Sequence, residues 1–232
     1  MIKKSEISDK LRGYSKGRFN EKKLLKYFLE DEFNCKGVLQ SKEDREVRLI
    51  EIDNKKYIVK KEKGRGVVDG LLGSKAVMAY RNLIKLRGKG FNKVFDIHFV
   101  VEKRRGIAVE ETYTLMEYIE GRFPQTTGEY EMVMEAIKEL HSLGCYHGDC
   151  KPKNFIVREG EVFLIDSKFK RGYSLSLGKC KDVLRLQRRT EEKLPIEKHF
   201  KGYRLSPAYY LAILLIYKKE IINGAEFLKE VL

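Results

Sequence analysis

The chain has 232 residues, 42% of them apolar and 35% charged, enough to fill a core; a disordered tail, a fibrous repeat and a disulfide scaffold are excluded. Forty-eight Lys and Arg against 34 Asp and Glu leave a net charge of +14, which implies an anionic partner: nucleic acid, nucleotide phosphate or an acidic lipid surface. The opening residues, MIKKSEISDKLRGY, contain no apolar run of the secretory kind, and the longest apolar stretch, Ala208 to Tyr217, is too short for a bilayer. Cys35, Cys145, Cys150 and Cys180 have no metal-ligand spacing, so reduced thiols in a cytosolic protein are expected.

Residues 1–32 read as a basic helical extension, with Leu24, Leu25, Phe28 and Leu29 forming an amphipathic stripe between Glu21 and Phe33. From Lys36 the period becomes two: KGVLQ, a charged turn SKEDR, EVRLIEI, a turn at Asn54 and KYIVKK predict a three-stranded antiparallel meander. In its middle strand Val47 and Leu49 share one face and Ile50 and Ile52 the other. KEKGRGVVDGLLG reads as a glycine-rich link, Ser74 to Leu86 as a helix, and Val94 to Val101 and Ile107 to Tyr118 as two strands hinged at EKRRG.

GRFPQTTGE marks a boundary between an amino-terminal lobe, 1–119, and a carboxy-terminal lobe, 120–232. Beyond it, Glu129 to Leu143 predicts a helix with Val133, Ala136, Ile137 and Leu140 on one stripe, ended by Gly144. A compact loop runs to Lys153. Two short strands, NFIV and VFLID, follow around the turn REGE, and the remainder is helical, ending in an apolar helix near 207–218. A strand-rich first half with one main helix and a helical second half predict an α+β molecule of two lobes around a cleft.

The densest polar cluster lies between apolar elements, in Tyr146-His147-Gly148-Asp149-Cys150-Lys151-Pro152-Lys153-Asn154 and, after the second strand, at Asp166. A hairpin that begins at Asn154 and ends at Asp166 brings the two together as oxygen ligands for a divalent ion. Asp149, five residues earlier, then lies where phosphoryl transfer needs a group to position an attacking hydroxyl. Cys150 has no partner suggesting nucleophilic catalysis and reads as packing.

These pieces resemble a protein kinase-like fold. His147, Asp149, Lys151 and Asn154 match the family's HRDLxxxxN loop, and Asp166 matches the aspartate of DFG, although here the triplet is Asp-Ser-Lys. The resemblance implies that Asp149 is the catalytic base, that Lys151 contacts the transferred phosphate and that Asn154 and Asp166 hold Mg²⁺. His147 takes the place of the loop histidine, and the residue itself reads as a hydrogen-bonding scaffold for the loop rather than an acid or base. Tyr57-Ile58-Val59-Lys60 matches the VAIK strand, so Lys60, rather than Lys61 on the opposite face, would meet the nucleotide phosphates. Met116 would be the gatekeeper, and the backbone of Glu117, Tyr118 and Ile119 would meet adenine.

The run YTLMEYIEG, a helix ending in ELHSLG, then HGDCKPKNFIVREGEVFLIDSKFKR and KCKDVLRLQRR is similar to the bacterial lipopolysaccharide core heptose(II) kinase family, from Lys36 to the carboxy terminus. That similarity implies ATP- and Mg²⁺-dependent phosphorylation of an inner-core heptose hydroxyl. It also implies a protein at the cytoplasmic face of the inner membrane, peripheral to an anionic surface. It further suggests that Asp182 braces the catalytic loop from behind; the plain alternative is a helix N-cap. The window from Lys168 to Arg204 carries twelve basic and four acidic residues, so Arg188 and Arg189 are expected to meet an anionic acceptor. Two departures stand out: no GxGxxG lies between the first two strands of the meander, and the helix after Lys60 contains no glutamate. The alternatives are another glycolipid kinase of the same fold, such as one for Kdo, or an inactive protein binding an anionic ligand or nucleic acid.

Overall fold

The computed structural model describes residues 3–8, 10–15, 34–167, 169–172, 176–190 and 194–218. The chain divides into two compact units, one of Met1–Lys85 with Phe95–Ile119 and one of Leu86–Val94 with Glu120–Leu232.

The first unit is built on a seven-stranded antiparallel sheet in the order β1-β2-β6-β7-β5-β4-β3. Its strands are β1 (Lys3–Ser8), β2 (Leu11–Ser15), β3 (Asn34–Lys42), β4 (Arg45–Ile52), β5 (Lys55–Gly66), β6 (Ile97–Arg105) and β7 (Ala108–Glu117). The expected meander is β3-β4-β5. Its middle strand buries Ile50 completely, in a cluster with Leu11, Val59, Phe99, Val101 and Leu115, against which Ile52 packs.

Three expectations are corrected here. Residues 3–8 and 11–15 are paired strands rather than helix: β2 also pairs with β6, and it buries Leu11 in the core on one face and Tyr14 against Glu102 on the other. Burial on both faces leaves no period to read, and the serines and glycine are weak helix formers. The amphipathic stripe from Glu21 to Phe33 lies outside the described residues. The glycine-rich link is strand as far as Gly66 and then a short helix, α1 (Val67–Leu72), because β5 keeps pairing with β7 through its charged residues. EKRRG is likewise strand rather than hinge; Glu102 pairs with Arg104 and Arg105 with Glu110, and the chain turns at Gly106.

Helix α2 (Lys75–Arg87) follows, with the Ser74 hydroxyl accepting from the Val77 N–H at its start. In the second unit α3 (Thr127–Ser142) opens with a capping box between Thr126 and Glu129. Arg122 also grips Glu129, and that contact, with the Gln125 and Thr126 N–H groups, holds its carboxyl down to about 2. The α3 stripe of Val133, Ala136, Ile137 and Leu140 is buried. After β8 (Cys145–Tyr146) come the hairpin β9 (Phe155–Arg158) and β10 (Glu161–Leu164), then β11 (Lys170–Arg171), which returns to pair with β8. The helices α4 (Leu177–Arg189), α5 (Ile196–His199) and α6 (Pro207–Ile216) complete the unit. No helix among the described residues is long and apolar enough to cross a membrane.

Candidate active site

The polar loop is fixed between α3 and β9, and its anchor comes from α4. Asp182 is fully buried in the middle of that helix; its carboxylate accepts from the backbone N–H of His147 at 2.5 Å and of Gly148 at 2.9 Å. The helix begins at Leu177, so the N-cap alternative for Asp182 falls. Behind Asp182, His141 approaches through Nε2 at 3.4 Å and meets the Tyr203 hydroxyl through Nδ1 at 2.8 Å. Burial holds His141 below its ordinary pKa although Asp182 pulls the other way. Arg185, one turn after Asp182, donates to the Gly148 carbonyl at 2.7 Å. Gly178 keeps α4 close to β8, since a Cβ there would lie 2.5 Å from the Tyr146 ring.

Within the loop, Lys151 Nζ lies 2.9 Å from both carboxylate oxygens of Asp149. Asn154 Nδ2 donates to the Asp149 carbonyl at 2.7 Å and reaches its carboxylate at 3.4 Å. Burial alone would raise the Asp149 carboxyl, but Lys151, with Arg185 and His147 beyond it, outweighs burial and holds it below the usual range. Asp149 is therefore an ionised, partly exposed carboxylate at neutral pH. His147 is fully buried and held below its ordinary pKa by desolvation, against the pull of Asp182, Asp149 and Asp166. Its Nδ1 faces the Asp149 N–H at 3.3 Å, the geometry of a neutral ring that supports the loop. Cys150 is buried and its thiol is pushed well above the ordinary value, so it packs rather than reacts.

The hairpin brings Asn154 and Asp166 to the same end. Phe155 pairs with Leu164, and the Ile165 N–H donates to the Asn154 carbonyl at 2.9 Å, which leaves Asp166 one step beyond. Asp166 has a positive φ of 48°, a conformation rare outside glycine but tolerated by Asp. The Ser167 hydroxyl donates to the His147 carbonyl at 3.0 Å and accepts from the Phe169 N–H. No group of three or more His, Cys, Asp or Glu gathers among the described residues. The donor set is one carboxylate and one amide oxygen, whose amide is already oriented by Nδ2. That suits a hard cation which takes its remaining ligands from nucleotide phosphate and water.

Beside the loop is a basic cavity of about 230 Å³, lined by Lys151, Lys181, Arg185, Arg188, Arg189, Leu215 and Ile216. Arg188 and Arg189 thus stand with Lys151, and Arg188 is braced by the Ile216 carbonyl at 2.8 Å and the Tyr217 ring. Lys181 and Arg185 were not singled out from the sequence. The signal was present, because 181, 185, 188 and 189 are spaced i, i+4, i+7, i+8 on one helix face. Lys168, within the same basic window, lies outside the described residues.

In the first unit, Lys60 and Lys61 take opposite faces of β5. Lys60 shares its face with Thr114 and Met116, and its Nζ lies 3.4 Å from Glu62, which Arg45 grips at 2.9 Å. Lys61 pairs with Glu111 at 3.2 Å and lies over the Tyr113 ring. Among the described residues, an acid beside Lys60 thus comes from its own strand, two residues on, where alternation puts it on the same face. The kinase-like pattern instead leads one to expect that acid in the helix after Lys60, which has no glutamate. At the end of β7, the Glu117 N–H donates to the Asp96 carbonyl at 2.8 Å and its carboxylate accepts from the Asp96 N–H. Tyr118 lies under the Lys56 ammonium, and Ile119 is buried.

A sequence model described as "Lipopolysaccharide core biosynthesis protein (WaaY)" matches residues 1–231. The lipopolysaccharide core heptose(II) kinase WaaY of Escherichia coli (strain K12) is 27% identical over 242 residues, covering 99% of this chain and 98% of the relative. Among solved structures, WaaP in complex with acyl carrier protein superposes with a TM-score of 0.56 at 15% identity, over 88% of this chain and 93% of WaaP. That likeness shows the fold, protein kinase-like with an antiparallel sheet followed by a helical region.

Proposed function

Because the chain belongs to the WaaY family of lipopolysaccharide core biosynthesis proteins, we propose that it is an ATP-dependent kinase that phosphorylates a heptose hydroxyl of the lipopolysaccharide inner core. The observation that carries the reading is Asp149, an ionised carboxylate with Lys151 and Asn154 at its side, on a loop pinned by Asp182. Such a carboxylate orients a sugar hydroxyl and accepts its proton as the oxygen bonds to the γ-phosphorus and the bond to ADP breaks. Lys151 offsets charge on the transferred phosphoryl group. Asn154 and Asp166 would hold Mg²⁺, which when bound neutralises the phosphate oxygens. His147 and Asp182 touch no reacting atom in this scheme; they keep the loop in shape.

For nucleotide binding, Lys60 takes the phosphates and Glu62 orients it. Met116 and the backbone at Glu117, Tyr118 and Ile119 take adenine, with the Glu117 N–H already spent on Asp96. Arg188 and Arg189, with Lys181 and Arg185, take an anionic part of the acceptor, supported by the basic cavity beside Lys151. The chain is read as one kinase-like domain with lobes at 1–119 and 120–232, working from the cytoplasm at the inner-membrane surface. The test is ATP- and Mg²⁺-dependent phosphate incorporation into purified core lipopolysaccharide whose heptose phosphate is absent. Stoichiometric incorporation is expected; no transfer with a complete acceptor would return the chain to the binding-protein alternative.

A further inference from the structure

Outside the candidate site, the first unit carries a compact apolar platform. Val67 (47% exposed), Val68 (48%), Leu71 (72%) and Leu72 (72%) of α1 stand beside Ile107 (59%) of the β6–β7 turn. Single exposed aliphatic residues are ordinary, but five in one place mark an interaction surface. At 100° per residue the four α1 side chains span an arc of about 140°, with Asp69 and Gly70 on the other side. That other side is locked. The buried Asp69 carboxylate accepts from the Arg65 N–H at 2.8 Å and from its guanidinium at 2.7 Å. A Cβ on Gly70 would lie 1.7 Å from the Ile107 carbonyl oxygen, so only glycine lets the helix press onto the turn. The outward face is thus presented by a rigid base rather than by a frayed loop.

The surroundings are basic. Residues 60–72 and 102–111 hold seven Lys and Arg against five Asp and Glu, net +2, and none of the five acids is on the outward face of α1. Asp69, Glu110 and Glu111 are each paired with a cation. The apolar centre contains no Tyr, Trp or Arg anchor of the sort that dominates protein–protein interfaces. Plain aliphatic side chains with a cationic border suit the boundary between lipid headgroups and acyl chains. We propose that α1 and Ile107 form the surface by which this chain docks on an anionic lipid bilayer. Under the kinase reading above, on which this connection rests, the acceptor is itself lipid-linked. Lys60 lies along β5 only about 20 Å from α1, so docking keeps the phosphate-binding strand at the membrane.

The experiment is co-sedimentation of the full chain with vesicles of phosphatidylethanolamine and phosphatidylglycerol, and with vesicles of phosphatidylcholine alone. Leu71→Ser/Leu72→Ser is measured beside the wild type, with thermal unfolding and phosphotransfer to a deacylated, water-soluble core acceptor on the same batches. Wild type should bind the anionic vesicles, less so at high salt, and phosphatidylcholine weakly. The double variant should bind at least roughly 30-fold more weakly, with unchanged Tm and unchanged kinetics on the soluble acceptor. Wild type that ignores anionic vesicles, or binds both vesicle types equally, overturns the proposal, as does a variant that binds like wild type. A variant that instead abolishes self-association, or complex formation with an added acidic protein, without affecting vesicle binding gives the face to that partner. Absence of phosphotransfer by wild type would count against the kinase reading alone, since vesicle binding is read independently.

Discussion

Strand β5 and the loop at 146–154 hold their candidate site residues by different means. On β5 the support is local: Lys60 is aimed by strand alternation, and its acid, Glu62, is two residues away on the same face. Beyond Tyr146, which pairs with Lys170 of β11, the loop has no ladder of its own to fix it. Its shape depends on a buried carboxylate 35 residues away in sequence, on Arg185 beside it, and on Asn154 tying Asp149 to the hairpin. Regular structure positions a side chain cheaply, whereas an irregular loop must have its backbone polar groups satisfied one by one. A substitution in the loop's support should therefore damage both stability and turnover, while one on β5 should damage binding of a single ligand.

The largest effect is expected at the hairpin end. Asp166→Asn replaces the carboxylate that the proposed function assigns to Mg²⁺ with a neutral amide, so turnover should fall to background and Mg²⁺-dependent nucleotide binding should weaken, as read by Mg²⁺ titration against a nucleotide analogue. Wild-type metal affinity in the variant would remove Asp166 from the site.

Asp182→Ala comes next and tests whether the loop depends on its distant anchor. Two backbone N–H groups lose a charged acceptor in a buried place, at a cost of roughly 3 kcal/mol. Thermal unfolding should show the loss, and turnover should fall with it. A variant as stable as wild type would mean that the loop is held by its own contacts.

The two regions were also legible to different degrees. The order and spacing of His147, Asp149, Lys151, Asn154 and Asp166 were readable as a family motif, whereas the contacts that shape their loop, from Asp182 and Arg185, are long-range. Glu62 was overlooked because an acid was sought in a helix, although period-two alternation already placed it beside Lys60. A helix is expected in place of β2 because that strand is buried on both faces, Leu11 on one and Tyr14 on the other, through pairing with β6, a long-range fact that no local period encodes. Lys181 and Arg185 were hidden in a general excess of charge until the helix face gathered them around one cavity.

On β5 the expected effects are smaller and specific. Lys60→Ala should raise KM for ATP about tenfold or more, and Lys61→Ala far less, since the two face opposite sides. Glu62→Gln should raise KM for ATP by several-fold, about 3 to 10, on the scale of one exposed-to-half-buried ion pair. In a Lys60→Ala background the same change should add nothing. A damaging Lys61→Ala with a silent Lys60→Ala would shift the assignment by one residue, and additivity of the Glu62 and Lys60 changes would make Glu62 independent of the lysine.

The smallest effect concerns acceptor charge. Arg188→Glu with Arg189→Glu should raise KM for the lipopolysaccharide acceptor with little change in KM for ATP, and added salt should partly mimic it in the wild type by screening. Acceptor kinetics indifferent to both would make the basic cavity ordinary solvated surface.

The central claim is that Asp149 is the base of a phosphoryl-transfer site, and Asp149→Asn measures it most directly. The amide keeps the shape and can still hydrogen-bond but cannot take the hydroxyl proton. With nucleotide and acceptor binding measured on the same protein, kcat should fall roughly 10²–10⁴-fold while both affinities stay near wild type. Turnover close to wild type in that variant would contradict the account.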